Sequence, residues 1–405
     1  MPAFSAATVF ASQGALDHGF LLVERGRILS LRGSTDGTQE FTDSALVDFG
    51  CDVIAPGFLD LHIHGAGGFD VMDDDPDALT AIERLLVRHG VTSYLPTTVT
   101  APLDITLRAL ERLAIAIEAR ETECATLRDA SSARSSAQLA SSFCRAQPLG
   151  IHLEGPFISH ARRGVHPPQD LLPPSLATFE RLWQAARGRI RMLTFAPELD
   201  GAMELIAAAA ARGVCVSLGH SDADFATTER AISAGARHAT HTFNAMRPLA
   251  HRDPGIAGSI LTNDSVTADL IADGIHLDPA IVKLIARSKG TERTVLITDA
   301  ISATGMPDGR YRLGSIEVEV KNGSCESAGR LAGSVLTMDQ AVRNLAKFAE
   351  WKLAEAAASA SRNPARVLGS NNKGVLAPGA DADFLVLDSE GRVTRTFIGG
   401  VECSS

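Results

Sequence analysis

The chain has 405 residues, 45% hydrophobic and 21% charged, a globular balance that excludes a disordered protein and fits one large domain with an accessory one. Its formal net charge of -10 argues against non-specific binding to nucleic acid or to an anionic membrane surface, and no apolar run is long enough to span a bilayer. Residues 1–16 lack the basic start and apolar block of a secretory signal, and six cysteines without a C-x-x-C pair read as the reduced thiols of a cytoplasmic enzyme, a Cys124–Cys144 bridge being the disfavoured reading.

The first fifty or so residues read as short strands. Phe20-Leu21-Leu22-Val23 and Arg27-Ile28-Leu29-Ser30-Leu31 are apolar runs split by Arg25-Gly26. Residues 383–388 and 393–398 repeat the pattern around Ser389-Glu390-Gly391. Two β-rich ends around an α/β middle predict one small β-sandwich domain built from residues 1–54 and 376–405, enclosing a domain of residues 55–375. Within that middle, strands are expected over 53–64, 93–99, 149–153, 191–195, 214–218, 239–243, 268–272 and 295–297. Helical stretches rich in Ala, Leu, Arg and Glu cover 78–89, 103–119, 175–187, 202–212 and 225–234. This alternation predicts parallel strands with crossover helices, and roughly eight units are what an α/β (β/α)8 TIM-like barrel needs. A doubly wound open sheet is the alternative, but no G-x-G-x-x-G follows a strand to support it. Residues 121–147, biased toward Ala, Ser and Arg, read as a flexible surface insertion without chemistry of its own.

The polar residues fall at the C-terminal ends of the strands. The first ends in His62-Ile63-His64-Gly65, the third in His152-Leu153-Glu154 and the fifth in Leu218-Gly219-His220. The sixth carries His241, the seventh leads into Asp273-Gly274-Ile275-His276, and the eighth ends in Thr298-Asp299. Barrel active sites form at this face, so residues distant in sequence converge there. His and carboxylate side chains suit zinc and other first-row divalent metals. A metal with an open position acidifies a water, and a further carboxylate can shuttle the proton. His62 and His64 share a strand face because side chains alternate. Each residue also has a plain structural reading. A strand-end histidine is often a satisfied polar residue, Glu154 could be a buried ion-pair partner, and Asp299 a helix cap. The coincidence of six such strand ends in a chain with 12 histidines favours chemistry.

These residues resemble a known group. Pro56-Gly57-Phe58-Leu59-Asp60-Leu61-His62-Ile63-His64-Gly65 is similar to the first-strand motif of the amidohydrolase superfamily, and residues 374–384 to its return into the β-domain. His152-Leu153-Glu154-Gly155-Pro156-Phe157, Gly219-His220-Ser221, His241-Thr242-Phe243-Asn244-Ala245-Met246, Ala272-Asp273-Gly274-Ile275-His276, Thr298-Asp299-Ala300 and Leu331-Ala332-Gly333-Ser334 resemble the N-acetylglucosamine-6-phosphate deacetylases within it.

The resemblance implies that Glu154, His220 and His241 hold a divalent metal, zinc first and Fe2+, Co2+ or Mn2+ as alternatives. It makes Asp299 the catalytic acid/base. His62 and His64 would hold a second metal sharing Glu154 and Asp299, so the count is one or two. Val165, His166, Asn244, Ala245, Arg252, Asp273 and His276 would bind the amino-sugar phosphate, and Leu331, Ala332 and Gly333 would close over it. Arg252 and His276 would hold the phosphate, with the family's homodimer bringing one of them from the partner. An arginine fork suits phosphate, although an ion pair with Asp253 is the plain reading of Arg252. The implied reaction is deacetylation of N-acetyl-D-glucosamine 6-phosphate in amino-sugar catabolism. The galactosamine epimer remains an alternative, as does a cyclic amidase of the dihydroorotase or hydantoinase type. Against the amidase, the fourth strand, Met192-Leu193-Thr194-Phe195-Ala196-Pro197-Glu198, has no lysine to bridge two metals. A barrel that has lost its chemistry would have lost ligands, and here all are present.

Overall fold

The computed structural model describes residues 1–12, 14–33, 45–129 and 144–403. Eight parallel strands form the centre of the molecule. In chain order they are Phe58–Ile63, Val91–Thr98, Ile151–Glu154, Ile190–Phe195, Cys215–Leu218, His238–Ala239, Thr267–Leu270 and Thr294–Leu296. Each pairs with the next in sequence. A parallel bridge from Ile63 to Ala300 brings the first strand beside the end of the eighth and closes the ring. This is the barrel the alternation predicts.

Helices cover the ring for ordinary reasons. Ala78–Arg88 buries Ala78, Ile82, Leu86 and Val87, which lie along one helical face. Leu176–Ala185 starts where the Ser175 side chain accepts from Thr178 N–H, and Phe225–Ala234 where Asp224 accepts from Thr227 N–H.

The chain ends meet in an eight-stranded sheet. Val53–Pro56 pairs antiparallel with Phe384–Leu387, which ties the two termini together. That sheet has its own core, including Phe4, Val9, Leu21, Ile54, Phe384 and Phe397. The strand expected over 53–64 is therefore two strands. Val53–Pro56 belongs to the terminal sheet and Phe58–Ile63 opens the barrel, with Gly57 between them. A β-carbon on Gly57 would lie 2.3 Å from Thr92 Oγ1, so the handover needs glycine.

Two further elements differ from expectation. The helix expected over 103–119 runs on as Leu103–Asp129, into the segment read as an insertion. Arg120 pairs with Glu123, which also binds Arg145, and Thr122 and Thr126 bond back onto the preceding turn. Residues 130–143 of that segment lie outside the described residues, and at its end Gln147 pairs with Ser93 of the second barrel strand. Beyond the eighth strand lies an antiparallel sheet of Gly309–Leu313, Ile316–Lys321, Ser324–Ser327 and Arg330–Leu331 that sequence reading missed. Its signal was present: Ile316-Glu317-Val318-Glu319-Val320-Lys321 alternates with period two. Val318, Val320 and Cys325 pack there against Val99, Ile301 and Ala303, so the sheet sits at the C-terminal ends of the barrel strands. No disulfide forms among the described residues, so Cys124 and Cys144 are not bridged.

Lys373 stitches the barrel to the terminal sheet. Its ammonium donates to Asp383 at 2.6 Å and Gln147 at 3.0 Å and pairs with Asp381 at 2.9 Å. Burial pulls its pKa down, but the two carboxylates outweigh burial and hold it above the ordinary lysine range. Lys373→Met would leave two buried carboxylates without this cation. We expect a loss of about 3–5 kcal/mol in urea unfolding. A midpoint unchanged from wild type would show that the pair is not structural.

Candidate metal centre and substrate pocket

The strand ends converge as the sequence implied. Glu154 closes the third strand, while His220, His241 and Asp299 lie two or three residues beyond the fifth, sixth and eighth. His220, His241 and Asp299 have φ of +46°, +30° and +51°, a region sparsely populated by residues with a β-carbon. Neighbours hold them there. Asp269 accepts from His241 N–H, Asp299 N–H donates to the His62 carbonyl at 3.0 Å, and Ser334 N–H donates to the Asp299 carbonyl at 2.7 Å. Strain held in place by its surroundings gathers at functional sites.

Two groups of ligand-type atoms result, all six residues buried: Glu154, His220 and His241, and beside them His62, His64 and Asp299. Glu154 Oε1 lies 3.2 Å from His220 Nε2 and 3.1 Å from His241 Nε2, and these two nitrogens are 3.1 Å apart. Glu154 Oε2 faces His64 Nε2 at 3.3 Å, so the carboxylate lies between the groups. In the second group His62 Nε2 and His64 Nε2 are 3.1 Å apart, and Asp299 Oδ1 is 3.2 Å from His64.

Backbone carbonyls set the tautomers. Nδ1 of His220 faces the Arg162 carbonyl at 2.9 Å, Nδ1 of His241 that of Asn244 at 3.2 Å, and Nδ1 of His64 that of Thr97 at 2.9 Å. A carbonyl only accepts, so each Nδ1 carries the proton and each Nε2 turns a lone pair toward its neighbours. Lone pairs aimed at one another are the geometry of a cation site. His62 lacks such a brace, its Nδ1 being buried with no partner among the described residues.

The charges fit a cation too. Burial pushes Glu154 up, but the imidazoles of His62, His166, His220 and His241 around it hold it well below the usual carboxylate range. Asp299 is likewise brought down to about 2, against burial, by His62 and His64. Burial lowers His220 to about 4, the neutral form a ligand needs. In His64 and His241 burial is outweighed by the carboxylates, which raise them to about 10 and about 9. Negative charge that draws a proton so strongly also draws a metal cation. The donor set therefore fits a divalent ion.

His166 is different. Its Nδ1 accepts from Thr100 N–H at 3.3 Å, which puts the ring proton on Nε2, 3.4 Å from Glu154 Oε2. His166 offers a donor to the centre where His220 and His241 offer lone pairs. Two other histidines turn out to be structural. His152 bonds to the Leu61 carbonyl and Thr194, and His238 pairs with buried Asp269.

A cavity of about 430 Å3 opens over the centre. His64, Glu154, His220, His241 and Asp299 line it, together with Val165, His166, Asn244, Ala245, His276, Leu331, Ala332 and Gly333, and Ala161, Arg162, Gly164, Leu313 and Arg330 also contribute to the wall. Asn244 Nδ2 is buried with no acceptor among the described residues. Asp273 does not line the cavity; it orients His276, whose Nδ1 lies 2.7 Å from the carboxylate. Arg252 is exposed and does not line the cavity of its own chain. Nor does it pair with Asp253, which is taken by Arg247 at 2.6 Å.

Sequence reading missed the residues that position the ligands. Asp60 accepts from His62 N–H and from the Thr298 N–H and hydroxyl, tying the first strand to the eighth beside Asp299. Its signal was its place two residues before His62, on the same strand face. Asp269 and Thr100 carried no motif. Gly333, at φ +62°, is required by contact: a β-carbon would lie 2.4 Å from Ile301 Cγ2 and 2.9 Å from the Asp299 carbonyl. Gly333→Ala should lower kcat/KM about 10- to 100-fold by displacing Asp299, with metal content unchanged. Wild-type kinetics would show that the loop absorbs the methyl group.

A sequence profile of the Amidohydrolase family matches residues 53–403. The N-acetylglucosamine-6-phosphate deacetylase of Lysinibacillus sphaericus is 38% identical over 86% of this chain and 84% of its own. The N-acetylgalactosamine-6-phosphate deacetylase of Escherichia coli O157:H7 is 39% identical over 86% of this chain and 87% of its own. Among solved structures, a mutant N-acetyl-D-glucosamine-6-phosphate deacetylase from Mycobacterium smegmatis in complex with N-acetyl-D-glucosamine-6-phosphate superposes with a TM-score of 0.88. It is 34% identical, over 100% of this chain and 99% of that one.

Proposed function

The chain belongs to the amidohydrolase family, and from that premise we propose that it hydrolyses N-acetyl-D-glucosamine 6-phosphate to acetate and D-glucosamine 6-phosphate. The observation that carries this reading is the pair of buried ligand groups, bridged by Glu154, at the base of a cavity walled by His166, Asn244 and His276. Glu154, His220 and His241 would hold a divalent ion, with zinc first among those a carboxylate and two imidazoles suit. His62, His64 and Asp299 form a second, weaker site, because His62 lacks the backbone brace of the others. A divalent ion supplies Lewis acidity toward the acetamide carbonyl and lowers the pKa of a water.

The chain's own residues do the rest. Asp299, ionised beside His64, accepts the proton of the attacking water and later delivers it to the leaving amine. The His166 Nε2–H donates to the oxyanion as the carbonyl becomes tetrahedral. Asn244 Nδ2 and His276 receive the sugar phosphate, and Leu331, Ala332 and Gly333 exclude water above it. Arg252 completes the phosphate site from the partner subunit of a homodimer, since it stands outside its own chain's cavity. The reading places the enzyme in the cytoplasm; among the described residues no helix is long and apolar enough to cross a membrane.

The E. coli relative favours one second reading, the galactosamine epimer. Acetate release should be measured on both 6-phosphates and on the unphosphorylated sugar. We expect turnover of the glucosamine derivative, with kcat/KM about 10²-fold or more lower without phosphate, since charge-assisted bonds are worth about 1.5–3 kcal/mol each. A preference for the galactosamine derivative would install the second reading, and turnover of neither would overturn both.

A further inference from the structure

Beside the metal-centre cavity lies a second cavity of about 270 Å3, and the two share Gly164, Val165, His166 and Arg330 as a common wall. Arg163 lines the second cavity as well, so two guanidiniums face it, and no carboxylate is among its lining residues. That is notable in a chain with 48 acidic and 38 basic residues. The adjacent Arg162 is held by Asp222 at 2.7 Å. Among the described residues Arg163 and Arg330 form no ion pair. Arg163 Nη1 donates to the His160 carbonyl and Arg330 Nη1 to the Gly164 carbonyl, each at 2.9 Å. The remaining N–H groups of both forks are left for a ligand. Arg330 is set there by a tight turn, Ala328 at φ +48° and Gly329 at +72°, which brings it opposite Ser327. Two arginines around one concavity without a counter-charge are chemistry for a carboxylate or phosphoryl group.

We propose that this cavity is a subsite for an acidic substituent on O1 or O3 of the N-acetyl amino-sugar 6-phosphate, so that doubly acidic amino sugars are further substrates of the same centre. The proposal rests on the deacetylase reading. There the C2 acetamide lies against Glu154, Asp299 and His166, and the 6-phosphate against Asn244 and His276. C1 and C3 flank C2, and His166 belongs to both cavities. A group on either flanking oxygen is therefore the part of the ring that reaches Arg163 and Arg330. The reaction is unchanged: water cleaves the amide, acetate leaves, and the amine keeps the proton.

The test compares kcat/KM for four derivatives of N-acetylglucosamine 6-phosphate, measured beside the parent. The 3-O-carboxymethyl ether is set against its uncharged 3-O-propyl counterpart, and the 1-phosphate against the 1-O-methyl glycoside; the two arms separate a carboxylate source from a phosphoryl one. We expect the acidic member of at least one pair to be preferred about ten- to a hundredfold. Arg163→Met should abolish that preference and leave the parent's kcat/KM unchanged. Parent turnover with no acidic preference in either pair, or a preference that survives Arg163→Met, overturns the subsite alone. An acidic derivative that inhibits without being hydrolysed counts against it as a substrate. Failure to hydrolyse the parent overturns the deacetylase reading and the subsite with it.

Discussion

Asp299→Asn is expected to fold normally, to keep its metal at Glu154, His220 and His241, and to lose about 10²- to 10⁴-fold in kcat, the usual contribution of a positioned acid/base. The argument is one of geometry and charge. Asp299 Oδ1 stands 3.2 Å from His64 Nε2 and 3.5 Å from His62 Nε2, at the rim of the carboxylate and histidine cluster. His62 and His64 bring its pKa down to about 2 against burial, so it is ionised at neutral pH with a carboxylate oxygen that can accept a proton. The asparagine amide has nearly the same shape and cannot take that proton. KM should change little, because the phosphate contacts are elsewhere. Stopped-time acetate assays with metal analysis of the same preparation separate the outcomes. Loss of activity together with loss of all metal would make Asp299 chiefly a ligand, and undiminished turnover would remove it from the mechanism.

Glu154→Gln should have the larger effect. The Glu154 carboxylate receives His220 and His241 on one oxygen and His64 and His166 on the other, all within 3.1–3.4 Å. The amide removes the negative charge that offsets these imidazoles, and one of its two ends becomes an N–H donor facing lone pairs. Metal content should fall toward zero. Turnover should fall about 10³-fold or more, since a metal's Lewis acidity is worth several kcal/mol and about 1.4 kcal/mol is tenfold. Thermal melts provide an independent readout. Added zinc should raise the Tm of metal-stripped wild type by linkage and leave the variant unmoved. An equal zinc shift in both proteins would place the ion elsewhere.

Much of this was legible before any coordinates. Alternating apolar strands and helices predicted parallel strands with crossover helices, and the Ile63–Ala300 bridge decided a closed barrel over an open sheet. The polar switch at each strand end marked the residues now gathered at one mouth. The second antiparallel sheet was legible in the Ile316–Lys321 alternation but went unread.

Other features could not be read along the chain, because they are relations between distant segments. The division of the expected 53–64 strand between two sheets depends on Gly57 meeting Thr92. The contrast between His166 and the ligand histidines depends on what faces Nδ1, Thr100 N–H in one case and carbonyls in the others. Arg252 carries the right group for phosphate, and only the tertiary structure places it outside the cavity of its own chain. Residue type and period thus determined the parallel α/β arrangement and the candidate ligand residues. The tertiary structure decided the tautomers, the electrostatic balance around Glu154 and the second cavity behind His166, because each depends on which backbone groups and charges lie within a few ångströms.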